Sequence, residues 1–231
     1  LRGNHDSNDK SDGGITYLSL FESKNVKVYN HIKDVKIKDR TFTFIPHYEN
    51  EQIIIDKHTA IPDSNIVVGH YGYIGCINGV PDYAFSISPN VIRSFTILGH
   101  IHRNSRSGLI NVVGTPYPIS FYDTEANCAS VGILDFDSNN ESLDYYSLKT
   151  GPRYVTVHSN KLSELSKLNP KCYNIVRVLL DSDSDKYAPD IIKDIITAYP
   201  VKWVDIRVVP KMDKIPMEKD NISIKAMFDK S

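Results

Sequence analysis

Two apolar runs, Ile66-Val67-Val68 and Thr96-Ile97-Leu98, end in the same pair of residues, Gly69-His70 and Gly99-His100. Short continuous apolar runs of this kind read as buried strands. A tight glycine turn at a strand's C-terminal end carries the next side chain into the crevice where open α/β sheets take ligands. The repeated pattern therefore predicts an α/β fold and, with it, the edge of the sheet where chemistry sits.

In Gly99-His100-Ile101-His102 the i, i+2 spacing puts two imidazoles on one side of an extended segment. His70 and Asn4 add nitrogen and oxygen donors. Imidazole with amide or carboxylate oxygen suits Mn²⁺, Fe²⁺ or Zn²⁺ and does not suit calcium. Asn4 belongs to a Gly3-Asn4-His5-Asp6 loop at the very start of the chain. A loop that aims an imidazole and an amide at one point needs a scaffold on its N-terminal side, so the chain is expected to be the downstream part of something longer. Asp56-x-His58 also offers a carboxylate and an imidazole, but it lies in a predicted helix, and packing is the better reading. His31, His47 and His158 stand alone and read as hydrogen-bonded surface residues.

Along the chain, "GITYLSLFES" sets Ile15, Leu18 and Phe21 on one helical face, with Leu20 beside it. "VKVYN" and "VKIKDRTFTFIPHY" alternate in apolar content and read as strands, including a hairpin about Asp39-Arg40. "ENEQIIIDKHTAIP" leans to helix, and Ser-Pro-Asn opens a short helix in "SPNVIRSF". "LINVVGTP", "CASVGILDFD" and "SLDYYSL" are further strands. Gly151-Pro152 marks a boundary. Beyond it, "RYVTVH", "YNIVRVLLD" and "VKWVDIRVV" read as strands. A helix between the last two gathers Ile191, Ile192, Ile195 and Ile196 on one face. Residues 211–231 are polar with sparse apolar positions and read as a tail or partner-docking segment.

No apolar run approaches the roughly 20 residues that span a bilayer, and no signal-peptide core is visible, so no membrane partner is expected and the cytoplasm (bacterial cell or phage-infected host) is the default. Cys76, Cys128 and Cys172 form no CxxC pair, which argues against a disulfide framework or a thiolate zinc site. The net charge of −1 gives no global signal for nucleic acid. Residues 151–231 are mildly basic, with 14 Lys/Arg against 11 Asp/Glu, which permits such a surface without arguing for it.

The ordered set GNHD, strand-GH, strand-GHxH resembles the downstream half of the calcineurin-like metallophosphoesterase pattern. "VVGTPYPISFYDTE" and "GPRYVTVH" are similar to the Gly-Ser-Pro…Ser-Phe segment and capping-domain entry of SbcD-type DNA repair nucleases. The resemblance implies a metallophosphoesterase β-sandwich flanked by helices over 1–150, N-terminally truncated. A small α+β capping, DNA-binding domain over 151–210 and the tail 211–231 follow. It implies two divalent ions, most readily Mn²⁺. Asn4, His70 and His100 would bind one and His102 the other. His5 would be the catalytic imidazole that donates to the scissile phosphate or its leaving oxygen, with Asp6 as its orienting partner. Two metals would clamp the phosphodiester and activate water for in-line attack. Arg103 and Arg106 are candidate phosphate contacts, though solvated loop charges explain them equally well. Tyr71 and Tyr73 could stack on a base, but buried packing is the commoner fate. The family's Asp-x-His and Gly-Asp elements belong upstream of GNHD, where only Leu1 and Arg2 stand, so impaired activity is expected of this chain alone.

The function so implied is a metal-dependent DNA nuclease working on ends or hairpins in recombination and repair. An SbcC-like ATPase would be its partner, and a homodimer is compatible. The alternatives are a phosphatase or small-nucleotide phosphodiesterase on the same fold, or a non-catalytic binding fragment.

Overall fold

The computed structural model describes residues 1–6, 12, 14–76, 85–121, 123, 129–181 and 188–209. The predicted tail 211–231 and Cys128 lie outside them. Three sheets organise the described residues. The largest begins with a hairpin, β1 (Lys33–Ile37) and β2 (Arg40–Ile45), turned at Lys38 with φ +53°. It continues through β3 (Ile66–Gly69), β4 (Phe95–Leu98), β5 (Ser105–Ser107) and β6 (Ile110–Val112). The spatial order is β1-β2-β3-β4-β6-β5, with β2, β3, β4 and β6 mutually parallel. Four parallel strands in one direction bring four C-terminal ends to one edge.

Alternate residues divide the faces of this sheet. Ile45, Val67, Leu98, Ile110 and Val112 enter one core with Ile54 and Ile61 of the crossover helix α1 (Glu51–Ala60) and its flank. Asn50 caps α1, its side chain accepting from the Gln52 N–H, so the polar residues before the apolar cluster start the helix as expected. On the opposite face Phe42 meets Phe136 edge-on at 5.1 Å. Phe136 belongs to a separate hairpin, β7 (Ser130–Phe136) with β8 (Glu141–Ser147). Arg40 fastens that hairpin to the sheet through Glu141 at 2.8 Å and the Asp137 carbonyl at 3.2 Å. The architecture is mixed α/β, a sheet with a helix on one side and a hairpin on the other.

From Gly151 a second sheet runs β9 (Gly151–His158), β10 (Cys172–Asp181) and β11 (Trp203–Val209), all parallel with β10 central. Helix α2 (Ala188–Ala198) connects β10 to β11, and its Ile195 is fully buried against Val176, Val178 and Leu180. This core shares no residue with the first among those described.

Three sequence expectations are corrected. Tyr17–Phe21 forms one 3₁₀ turn rather than an amphipathic helix, and Ile15, Leu20 and Phe21 are exposed. Thr16 caps it by accepting from the Leu18 N–H, which favours a short tight turn. "VKVYN" enters no strand; its Tyr29 carbonyl instead accepts from the Arg2 N–H. "SPNVIRSF" contributes only a 3₁₀ turn at Pro89–Val91.

His58 lies buried in α1, 2.5 Å from the Tyr71 hydroxyl through Nε2. Its Nδ1 has no partner, and burial lowers its pKa to about 4. Asp56 faces out to Gln52, so the Asp56-x-His58 pair splits between solvent and core. Because unfolded His58 binds its proton near pH 6.5 and the folded group only near 4, stability is retained above pH 6.5 and falls as pH drops towards 4. His58→Gln should lose about 3 kcal/mol less stability than the parent between pH 7.5 and pH 4, read by urea denaturation at each pH.

Candidate metal centre

Each parallel strand of the main sheet is followed by a loop at the same edge, and three of those loops carry a histidine within their first two residues. Ile45-Pro46-His47 follows β2, Gly69-His70 follows β3 and Gly99-His100 follows β4. The ring centroids of His70 and His100 are 5.3 Å apart, and His47 stacks on His100 at 5.6 Å. The expectation that His47 is an unrelated surface residue is therefore wrong. It is half-buried in the cluster, and its Nδ1 is buried without a partner. The signal was present in the sequence as an apolar strand ending in histidine, but proline stood where the other two have glycine.

The two glycines have separate causes. A Cβ on Gly69 would come within 2.2 Å of the Tyr71 ring, so the buried tyrosine excludes any larger residue. A Cβ on Gly99 would sit 3.2 Å from His70 Nδ1. Just beyond, His100 itself has φ +73°, a left-handed conformation that a β-substituted residue adopts only when its surroundings impose it.

The opening loop reaches this edge because Arg2 ties it down. Its guanidinium is buried and donates to the Gly14 and His47 carbonyls at 2.6 Å each and to the Asp12 carbonyl at 3.2 Å. The Arg2 carbonyl accepts from the His47 N–H in return. Two residues later, Asn4 Oδ1 lies 3.1 Å from His70 Nε2 and 3.3 Å from His100 Nδ1. Donor atoms sharing one first-row ion at about 2.1 Å lie roughly 3.0–3.4 Å apart, so Asn4 Oδ1 already has ligand-like separations from both nitrogens. Burial, with the neighbouring imidazoles, lowers the pKa of His70 to about 3 and of His100 to about 4. Both are neutral at pH 7, as metal ligands must be.

His102 lines the same cavity of about 410 Å³ as Asn4, His5, Asp6, His70 and His100, with Thr115 and Pro116 opposite. Its Nδ1 is 3.0 Å from Asp123 Oδ1, which leaves Nε2 for a ligand. Asp123 was not singled out from the sequence. Burial alone would raise its pKa, but hydrogen bonds from His102 and the Ile119 N–H hold it below the usual value. All six residues expected at the centre thus line one cavity.

Asp6 and the two arginines differ from expectation. Asp6 accepts from the Gly3 N–H at 3.1 Å and closes a turn, and no bond from it to exposed His5 is formed. Neither Arg103 nor Arg106 lines the histidine cavity. Arg106 donates to Asn111 Oδ1 at 2.9 Å and to the Leu143 carbonyl, and lies over the Tyr145 ring, so it joins β5 to β6 and β8. Tyr71 and Tyr73 are buried, as packing led one to expect, and unavailable for stacking on a base.

The donor set is two neutral imidazoles and an amide oxygen, with a third imidazole nearby, and it fits Mn²⁺, Fe²⁺ or Zn²⁺. Among the described residues no group of three or more His, Cys, Asp or Glu is disposed around one ion. The cluster completes its three donors only through the Asn4 amide. No helix among those residues is long and apolar enough to cross a membrane. No protein-family model matches the chain, and no curated protein matches it.

Arg2→Met should cost about 3 kcal/mol or more, because it removes charged hydrogen bonds and strands carbonyls that are partly or wholly buried. It should also accelerate hydrogen exchange at the His47 amide. A melt unchanged from the parent would show that Arg2 does not anchor the loop.

Proposed function

We propose that this chain is part of a calcineurin-like metallophosphoesterase of the SbcD type. In this reading residues 1–150 form the nuclease unit, a β-sandwich flanked by helices, and residues 151–210 a small α+β capping domain that positions DNA. The reaction is hydrolysis of phosphodiesters at DNA ends or hairpins, in partnership with an SbcC-like ATPase. The observation that carries the reading is the meeting of Asn4 Oδ1 with His70 Nε2 and His100 Nδ1 at 3.1–3.3 Å. They come from three distant segments in the motif order GNHD, GH, GHxH.

Asn4, His70 and His100 would hold one divalent ion, and His102, through Nε2, would contribute to a second. Bound there, two such ions supply Lewis-acid clamping of the phosphodiester and an activated water. The chain's own residues do the rest. His5, exposed on the cavity rim, is free to approach a phosphate and to give a proton to the leaving oxygen. Asp6 shapes the turn that presents His5 rather than holding its ring. Asp123 keeps His102 in the tautomer that turns Nε2 towards the cavity. The compartment in this reading is the cytoplasm, where recombination and repair take place.

The experiment is cleavage of double-stranded ends and hairpins by the full-length protein with Mn²⁺, with and without the ATPase. His5→Ala should abolish cleavage while leaving Mn²⁺ binding intact. His70→Ala and His100→Ala should each weaken Mn²⁺ binding at least about tenfold, read by titration. DNA left uncut under all these conditions overturns the nuclease reading, and rapid turnover of p-nitrophenyl phosphate in its place would assign a phosphatase.

A further inference from the structure

The cavity and the three-stranded sheet meet through one short segment. Asp123 Oδ2 accepts from the Ile119 N–H, the Ser120 N–H and the Ser120 hydroxyl, each at 3.1 Å. Its own N–H donates to the Ser120 carbonyl at 3.2 Å. The carboxylate is thus gripped on one side by its own turn, while Oδ1 faces His102 Nδ1 at 3.0 Å. Between Ser120 and Asp123 stands Phe121, whose ring leaves this turn for the other sheet. It packs edge-on against Tyr154 of β9, with centroids 5.0 Å apart, and the Arg177 guanidinium of β10 lies 3.9 Å from its centroid.

Arg177 is fixed in turn. Its Nε donates to Asp205 Oδ2 at 2.8 Å on β11, the residue in register with it, and Arg207 donates to the same oxygen at 3.1 Å. Tyr154, Arg177 and Asp205 lie on the sheet face turned away from the Val176–Ile195 core. The contacts to Phe121 therefore add nothing to that core, and they connect all three strands to the turn that holds the cavity carboxylate.

We infer that Phe121, clamped between Tyr154 and Arg177, is a positioning residue: it sets the grip of Ile119 and Ser120 on Asp123 and, through Asp123, the orientation of His102. Displacement of the three-stranded sheet from Phe121 releases the turn, and His102 Nδ1 loses its acceptor. Whatever moves that sheet thereby changes which nitrogen His102 offers the cavity. The use made of this in catalysis rests on the nuclease reading, whereas the linkage itself needs neither metal nor substrate.

The test reads the His102 Nδ1–H proton by NMR in metal-free, ¹⁵N-histidine-labelled protein, assigned by its loss in His102→Gln. In the parent the proton is observed and exchanges slowly, because Asp123 accepts it. Phe121→Ala should speed its exchange about tenfold or more, the loss expected for one aromatic and one cation–π contact, and Phe121→Tyr should restore slow exchange. Arg177→Met, which leaves Phe121 and Asp123 untouched, should shift exchange in the same direction. If Phe121→Ala does not fold, Arg177→Met decides alone. Exchange at the parent rate in the folded variants overturns the inference. A parent protein that fails to cleave DNA but shows the expected exchange pattern removes the nuclease reading and leaves the linkage standing.

Discussion

The buried guanidinium of Arg2 is the interaction on which the candidate centre depends. An arginine with almost no solvent exposure must find acceptors for its donors, and here they are backbone carbonyls of residues 12, 14 and 47. Those carbonyls belong to a loop and to the end of β2, so satisfying the cation fixes where the opening residues lie. Asn4 follows two positions on, and its amide oxygen has no choice but the gap between His70 and His100. The metal-like geometry is thus a product of charge burial at one remove.

The sheet supplies the other half. Parallel register aligns Ile45, Gly69, Leu98 and Val112 across four strands, and the residue types after each strand end determine what the edge can do. Packing at this edge is tight. Tyr71 excludes a side chain at Gly69, His100 adopts a left-handed backbone, and burial beside neighbouring imidazoles lowers the basicity of His70 and His100. Strain and desolvation are thus collected at one place, the edge where the candidate centre lies.

Much of this was legible because it depends on local pattern. Apolar runs ending in Gly-His announce both strand and site, and a helix such as α1 announces itself by its cap. What was not legible depends on long-range partners. The stretch around Tyr17 has helical spacing, yet Ile15, Leu20 and Phe21 are exposed, so periodicity misleads. His47 follows proline, and its role appears only when β2 lies beside β3. Asp123 has no motif of its own and is defined by a histidine 21 residues away. Arg106 stands next to metal-ligand spacing in sequence but is drawn to the β7–β8 hairpin by acceptors no local reading reveals.

The sequence separations within the cluster have a kinetic meaning. Asn4 bridges partners 66 and 96 residues away, and Arg2 reaches 45 residues to His47. Loop closure over such distances is unfavourable until the intervening strands have paired, so these contacts belong to the end of folding. Until the sheet closes, the polar residues of the opening loop remain in water, and Asn4, His70 and His100 are held apart.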